Sequence, residues 1–238
     1  MFVIMSAIEP NYNNSNDSIS QRFSILANKT FCPYASSSKV WFAPGWDTSL
    51  SVRENTLKII PYFDKFIEVG EEKELDIFVI EVWGSQSINN IYSFADLLYC
   101  VLHTMNESDP TSTNCLTDSI ESMEWDFTYR QMEFFLPTFA PFYDANHVRY
   151  SQHKDSAFIL FQPDYSFGRY GINSKNPKRF DITKGIRETF EKNGFTYDIE
   201  LISRSIKAVR YIKPHQIGDP PIRWWDRGLT IEELAKIY

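Results

Sequence analysis

The stretch that decides the fold is residues 76–83, DIFVIEVW, which is followed directly by Gly84. A short and nearly continuous apolar run that is closed by a glycine is typical of a buried β-strand. Glu81 interrupts this run. A carboxylate at that position must lie on the exposed face of an edge strand or be paired in a pocket, because an unpaired buried charge is costly. Both interpretations stay open from the sequence alone.

Periodic segments on both sides of this strand predict alternating strands and helices. Upstream, residues 39–43 (KVWFA) come before a Pro-Gly turn and predict a short strand. Residues 54–68 have apolar positions at helical spacing, and Pro61 is expected to kink or split that helix. Downstream, Ser93 and Asp96 resemble a capping box at the start of a helix with an apolar stripe.

The second half of the chain continues this pattern. Three further strands are predicted at residues 125–129, 132–136 and 156–162. Thr183 is expected to cap a helix that stops at Gly194, and residues 197–202 resume strand character. Thr230 and Glu233 form a capping-box pattern for a last helix. Interspersed helices and strands predict an α/β or α+β fold, a single mixed-sheet domain with helices packed on the sheet.

Length and composition are those of one globular domain. The chain has 238 residues, of which 43% are hydrophobic and 16% aromatic, so it can bury a large core or line a deep aromatic pocket. Residues 11–20 are polar and rich in Asn and Ser, which predicts a flexible N-terminal arm over residues 1–20. Residues 21–238 are expected to form the single domain.

Charge and cysteine content narrow the class of protein. The formal net charge of −7 argues against nucleic acid as a partner, because such binders carry clustered Lys and Arg. No run is apolar and long enough for a transmembrane helix, and the N-terminus lacks the pattern of a signal peptide. We therefore expect no membrane partner and a cytoplasmic location. Cys32, Cys100 and Cys115 have irregular spacing, which predicts free thiols rather than disulfides or a zinc site.

His147 is the most informative of the four histidines. It follows a loop rich in Pro, Tyr, Asp and Asn, precedes Arg149 by two residues, and leads into the apolar strand predicted at 156–162. Loops that are held by a sheet often carry metal ligands. The alternative is a loop histidine with a purely structural role beside a surface arginine. Spacing alone favours this alternative.

A longer pattern around His147 resembles a known family. Residues 140–151 read A-P-(x5)-H-(x)-R-Y-S, and residues 158–167 read F-(x2)-F-Q-P-(x3)-F. Together they are similar to the signature of the YqcI/YcgG family. Residues 31–35 (FCPYA) are similar to that family's N-terminal Pro-Cys element, although Cys32 precedes the proline here instead of following it. The resemblance spans about residues 23–212.

The resemblance implies a cofactor and an activity. Family members with assigned activities are haem-dependent oxygenases of amino-acid-derived substrates, including arginine N-hydroxylases and the pre-guanitoxin N-hydroxylase. It therefore implies haem iron with His147 as the axial ligand, and Cys32 is the rival ligand. Arg149 or Arg169 would pair with the haem propionates. Tyr150, where relatives often have a basic residue, completes the expected cofactor-binding set.

A substrate that bears an amine or a guanidinium requires a carboxylate in its pocket. Glu124 and Asp126 are the predicted catalytic carboxylates, with Glu81 as a third candidate; each also has a plausible surface interpretation. The expected partners are a small nitrogen-containing molecule, O₂ and an unidentified electron donor. The alternative is a non-catalytic protein that binds haem or another small ligand, and a third hypothesis is an interaction protein without a cofactor. Trp224 and Trp225 are expected to pack on the core, or else to form an interface or pocket lid in a homodimer.

Overall fold

The computed structural model describes residues 18–172, 176–195 and 206–226. Within these ranges the helices are α1 (Ser18–Lys29), α2 (Val52–Gly70), α3 (Ile91–Glu107), α4 (Asp164–Arg169) and α5 (Arg179–Lys192). The strands are β1 (Val40–Phe42), β2 (Ile77–Trp83), β3 (Phe127–Tyr129), β4 (Met132–Phe135), β5 (Thr138–Phe139) and β6 (Ser156–Pro163). Short 3₁₀ turns occupy Ala35–Ser37, Gln86–Ile88, Asp118–Glu121 and Lys207–Arg210.

The strand predicted at residues 76–83 lies inside a mixed sheet of order β1-β2-β6-β4-β3. β2 pairs in parallel with β1 and antiparallel with β6, in a register that places Val79 opposite Leu160. The far side of β6 pairs with β4 near its C-terminal end and with β5, where Thr138 faces Ile159. This sheet with its helices confirms the predicted single mixed-sheet fold and assigns it to the α+β class.

The two faces of the sheet bury different helices. On one face, Phe63 and Phe66 of α2 pack against Phe78 of β2, and all three side chains are fully buried. Helix α3 lies in the same layer. On the other face, Phe23 of α1 packs edge-on against Phe158 of β6. Alternate side chains of β2 therefore belong to two separate apolar layers, as expected for a strand covered on both sides.

Glu81 is buried at 4% exposure and is paired with helix α1. Its two carboxylate oxygens accept hydrogen bonds from Nε and Nη2 of Arg22, at 2.5 and 2.6 Å, and Oε1 also accepts one from Oγ of Ser156 at 2.7 Å. β2 is flanked by strands on both sides, so the edge-strand interpretation is wrong. The charge is tolerated because a bidentate arginine and a hydroxyl satisfy it.

Several element boundaries differ from the sequence predictions. Helix α1 begins at Ser18, so residues 18–20 belong to a helix and not to an arm; residues 1–17 lie outside the described part of the chain. Asn90, not Ser93, caps α3, because its carboxamide accepts from the backbone N–H of Tyr92 and of Ser93. Thr183 lies within α5 instead of capping it.

Pro61 does not split its helix, and the other helix predictions are confirmed or lie outside the described residues. Pro61 is tolerated inside α2, which runs on to Gly70. Gly194 follows α5 with a φ of +81°, the conformation that favours glycine at a helix end. The strand predicted at 197–202 and the helix predicted from Thr230 fall on residues that the structure does not describe. Among the described helices, none has the length and apolar character needed to cross a membrane.

Candidate functional site

The loop between β5 and β6 is held by backbone hydrogen bonds at both ends. The backbone N–H of Ala140 donates to the carbonyl of Arg149, and that of Ser151 donates to the carbonyl of Ala140. Inside the loop, the N–H of His147 donates to the carbonyl of Asp144 at 2.8 Å, which closes a turn. The sheet therefore fixes the position of His147, which the sequence predicted to lie in a loop held by a sheet.

Both ring nitrogens of His147 form hydrogen bonds, and their partners define its tautomer. Nδ1 accepts from the backbone N–H of Arg149 at 3.1 Å, and an N–H can only donate. Nε2 lies 3.1 Å from the carbonyl oxygen of Pro214, which can only accept. The proton of the neutral ring is thus on Nε2 and the lone pair on Nδ1. Protonating Nδ1 would break its bond to Arg149.

The surroundings oppose a positive charge on His147. Burial, together with the nearby charges of Lys213 and Arg149, lowers the pKa of its imidazole from the usual 6.5 to about 4. The hydrogen bond to Pro214 acts in the opposite direction but does not compensate. His147 is therefore neutral at physiological pH, the form in which imidazole can bind a metal.

Tyr143 connects the same loop to the segment before His215. Its ring stacks on the His147 ring with the centroids 4.0 Å apart, and its hydroxyl donates to the carbonyl of Lys213 at 2.6 Å. Burial raises the pKa of Tyr143, so the phenol stays protonated as this bond requires. The side chains of Tyr143 and His147 thus bind the consecutive carbonyls of Lys213 and Pro214.

These two segments form the walls of a cavity of about 370 Å³ that is partly open to solvent. This volume lies at the lower end of the range of about 300–1,000 Å³ for small-molecule sites. The cavity is lined by Asp144, Asn146, His147, Val148, Gly194, Lys213, Pro214, His215, Gln216 and Ile217. It holds imidazole, ammonium and carboxylate groups next to apolar surface, the mixture that orients a small polar ligand.

A much smaller pocket of about 10 Å³ lies behind the same loop and shares His147 and Val148 with the cavity. Its other lining residues are mainly aromatic or apolar and include Tyr150, one of the residues predicted to bind the cofactor. The space is at most about that of a single water molecule. It belongs to the packing that supports the loop.

The two predicted arginines have separate structural partners. Arg149 is buried at 6% exposure; its Nη2 donates to the carbonyl of Arg210 at 3.4 Å and its guanidinium lies over the Phe139 ring. Its charge acts on His147 although its side chain does not line the cavity. Arg169 forms an ion pair with the buried Asp76, at the start of β2. Arg169 does not contribute to the cavity walls.

The predicted carboxylates also lie away from the cavity. Glu124 is exposed in the turn before β3. Asp126 forms an ion pair with Lys207, and burial raises the pKa of Asp126 against the opposing effect of that ammonium group. Neither side chain is among the residues that line the cavity.

Cys32 is half-buried in the segment between α1 and β1. Burial raises the pKa of its thiol, and hydrogen bonds from the backbone of Tyr34 and Ala35 only partly oppose this. In the free protein this group is therefore a thiol. It lies outside the residues that form the cavity, which weakens its standing as a rival ligand.

Sequence reasoning did not select three residues that the structure places in the cavity, Asp144, Lys213 and His215. Asp144 was part of the recognised loop, but its carboxylate was not singled out. His215 follows Pro214 in a polar loop. The sequence shows this position but contains no motif that links His215 to His147. Over the described ranges, no group of three or more His, Cys, Asp or Glu side chains is arranged to hold a metal ion.

Comparison with known proteins defines the class of this chain. The family model described as the YqcI/YcgG family matches residues 38–203, which include the His147 loop and β6. The chain therefore belongs to the YqcI/YcgG family. No curated protein and no solved structure matches it significantly.

Proposed function

We propose that this protein is a haem-dependent oxygenase that acts on a small, nitrogen-containing, amino-acid-derived substrate by N-hydroxylation or a related oxidation. One observation carries the proposal. The loop on which the family resemblance rests forms a wall of a cavity of about 370 Å³, opposite the segment that bears Lys213 and His215. Membership of the family supports this assignment.

The cavity matches a haem group in its ligand chemistry but not in its size, since about 370 Å³ of partly open space does not enclose a porphyrin. Its walls offer the imidazoles of His147 and His215, and imidazole is a usual axial ligand of haem iron. Lys213 in the wall is a cation of the kind that pairs with a carboxylate, whereas Arg149 donates to the carbonyl of Arg210 and does not line the cavity. His147 would have to break one of its two hydrogen bonds to bind iron, whereas the exposed His215 would not.

Haem would supply the binding and reduction of O₂, with electrons from an external donor. The chain's own residues would bind and orient the substrate. Asp144 offers a carboxylate for an amine or guanidinium nitrogen, and Lys213 offers an ammonium group for the substrate's carboxylate. Val148, Pro214 and Ile217 provide apolar surface that limits access of water to the ligand.

Haem loading tests the cofactor. The purified full-length protein, reconstituted with haem, is expected to show a Soret band and a 1:1 stoichiometry. Absence of specific uptake would refute the proposal. Cys32→Ser should keep the same spectrum, because Cys32 lies outside the cavity. Loss of the band in that variant alone would move the iron ligand to Cys32.

Oxygen consumption tests the activity. The reduced, haem-loaded protein should consume O₂ faster when amino acids or guanidines are added, and mass spectrometry should detect a product heavier by one oxygen atom. Loading without any substrate-dependent consumption would instead indicate a haem-binding protein without this activity.

The role of Asp144 is tested with the substrate that this screen identifies. Asp144→Asn should raise KM by about 10-fold or more, because a charge-assisted hydrogen bond to the substrate contributes about 1.5–3 kcal/mol. Asp181→Asn, which removes an exposed carboxylate in the first turn of α5, is the matched control and should leave KM unchanged.

A further inference from the structure

A cluster of aromatic rings leads from the core of the protein to its surface near Glu121. Its members are Trp125, Tyr211, Trp224 and Trp225. We propose that this aromatic cluster moves an electron hole, the place of a missing electron, from the interior to Trp225, where Glu121 accepts the indole proton. This role goes beyond the proposed function and requires no cofactor.

The rings of the aromatic cluster are in contact from the core outward. The ring centroid of Trp125 lies 5.7 Å from that of Tyr211 and 6.1 Å from that of Trp224. Tyr211 and Trp224 stack at 5.7 Å, and Trp224 meets Trp225 edge-on at 5.5 Å. These are the separations of packed aromatic pairs. Electron transfer between rings in contact is fast, so a hole formed on any of the three indoles can reach the others.

The indole protons of the two buried tryptophans are held by backbone carbonyls. Nε1 of Trp125 donates to the carbonyl of Cys115 at 2.6 Å, and Nε1 of Trp224 donates to the carbonyl of Ala208 at 2.8 Å. An amide carbonyl accepts a hydrogen bond but is too weak a base to remove the proton of an oxidised indole. Oxidation of either ring therefore leaves a positively charged radical in the core, where a charge is costly.

The indole proton of Trp225 has a different partner. Its Nε1–H donates to Oε1 of Glu121 at 3.4 Å, and this ring is half-buried while the other members of the cluster are buried. A carboxylate is basic enough to take the proton of an oxidised indole. The product is an uncharged radical on Trp225, so the hole is trapped at the surface end of the cluster.

Arg223 couples the loss of the electron to the loss of the proton. Its guanidinium carbon lies 5.4 Å from the centroid of the Trp225 ring, and its Nη2 forms an ion pair with Oε1 of Glu121. A cation over the ring opposes a second positive charge there but does not oppose an uncharged radical. The carboxylate has further lone pairs, so the ion pair leaves room for the proton.

Tyr211 packs the tryptophans together but does not hold the hole. Its hydroxyl donates to the carbonyl of Phe134 at 3.0 Å and accepts from the backbone N–H of Phe127 at 3.1 Å. Burial raises the pKa of this phenol. A tyrosine is oxidised readily only when a base takes its proton, and neither of these two partners is a base.

Each event moves one electron and one proton. A one-electron oxidant, such as an oxygen-derived radical, takes an electron from Trp224 and is reduced. Trp225 returns an electron to Trp224, and its N–H bond breaks as the proton passes to Glu121. A small one-electron reductant in solution, such as a thiol, then restores Trp225 together with its proton.

Laser photo-ionisation of the full-length protein tests the direction of transfer. An ultraviolet pulse removes electrons from tryptophans, a nitroso spin trap marks the radicals, and mass spectrometry of peptides locates them. Trp83 is the internal reference, because it lies outside the cluster and is 49% exposed. Trp225 should carry more label than Trp83 although it is less exposed. A cluster that only packs the core would be labelled in the order of exposure.

Trp224→Phe keeps a ring in the stack but interrupts the transfer. The ratio of label on Trp225 to label on Trp83 should fall by about threefold, because Trp225 would collect holes from one indole instead of three in contact. Trp46→Phe removes a tryptophan from the loop after β1, is the matched control, and should leave the ratio unchanged. Circular dichroism checks that each variant is folded.

Glu121→Gln tests the proton acceptor. It keeps an oxygen for the Trp225 N–H but removes the base, so the uncharged radical, followed by transient absorption, should form about 10-fold more slowly. Glu124→Gln removes an exposed carboxylate three residues further on and should not change this rate.

Three results would overturn the proposal. Label that is higher on Trp83 than on Trp225 in the wild type excludes a trap at Trp225. An unchanged ratio in Trp224→Phe excludes transfer through the cluster. An unchanged rate in Glu121→Gln excludes Glu121 as the proton acceptor.

Discussion

The imidazole of His147 and the phenol ring of Tyr143 lie face to face, with their planes 9° apart. Each ring uses its polar edge for a hydrogen bond to the backbone of the segment that contains Lys213 and Pro214. The stacked pair therefore joins two parts of the chain that are 67 residues apart in sequence. The cavity exists because this contact holds its two walls together.

Acidification should destabilise the protein through His147. Its pKa falls from 6.5 in the unfolded chain to about 4 in the folded protein, so the unfolded state binds more protons between these values. The stabilisation is complete above about pH 6.5 and is lost as the pH falls toward 4. Urea unfolding at pH 7 and pH 5 should differ by about 2 kcal/mol more in the wild type than in His147→Gln. An equal pH dependence of the two proteins would contradict this.

The ion pair between Arg22 and Glu81 should be sensitive to loss of one partner. Arg22→Ala leaves a carboxylate at 4% exposure with only Ser156 to satisfy it, and we expect a loss of about 3–5 kcal/mol of unfolding free energy. Arg53→Ala breaks an exposed pair with Glu107 and should cost less than about 1 kcal/mol. The measurement is urea unfolding of both variants. Similar losses would show that the burial of Glu81 does not matter.

Trp224 should contribute far more to stability than its neighbour. Its side chain is fully buried, stacks on Tyr211 with planes 8° apart, and donates from Nε1 to the carbonyl of Ala208 at 2.8 Å. Trp224→Ala should cost about 3–5 kcal/mol in thermal or urea unfolding. Trp225→Ala removes a partly exposed ring and should cost less than half as much. The reverse order would contradict the packing described above.

Gly70 and Tyr165 form a pair that a double variant can test. A Cβ at Gly70 would collide with the hydroxyl of Tyr165, a group that is buried without a hydrogen-bond partner in the described ranges. Gly70→Ala should therefore destabilise the protein by about 1–3 kcal/mol. Tyr165→Phe alone should be nearly neutral, and the double variant should recover most of the loss. Additive effects in the double variant would exclude this contact as the cause.

The sheet was largely predictable because its strands carry local signals. The apolar run of β2 and its glycine stop follow from the residues themselves, as do the segments that became β4 and β6. The strand order was not predictable, because it depends on pairings between distant residues such as Val79 and Leu160. The cap of α3 was misassigned to Ser93, since Asn90, three residues earlier, offers an equally good side-chain acceptor.

The sequence predicts one wall of the cavity but not the other. The loop around His147 has a recognisable pattern, so the sequence identified that wall of the cavity. The opposite wall carries Lys213 and His215, and nothing in their local pattern indicates that the fold brings them to the loop. Glu124 and Asp126 were candidates because they carry carboxylates. Residue type alone does not reveal that Glu124 is exposed and that Asp126 is paired with Lys207.

The two walls of the cavity differ in how freely they can change during evolution. The loop of residues 144–148 is anchored to the sheet by backbone hydrogen bonds of Ala140, Arg149 and Ser151, so its length and path are fixed by β5 and β6. Residues 215–217 are exposed beyond the buried Lys213 and Pro214, and no strand depends on them. New ligand preferences could therefore arise by drift in this short segment alone. Exchanging it between relatives is a direct way to engineer specificity without redesigning the domain.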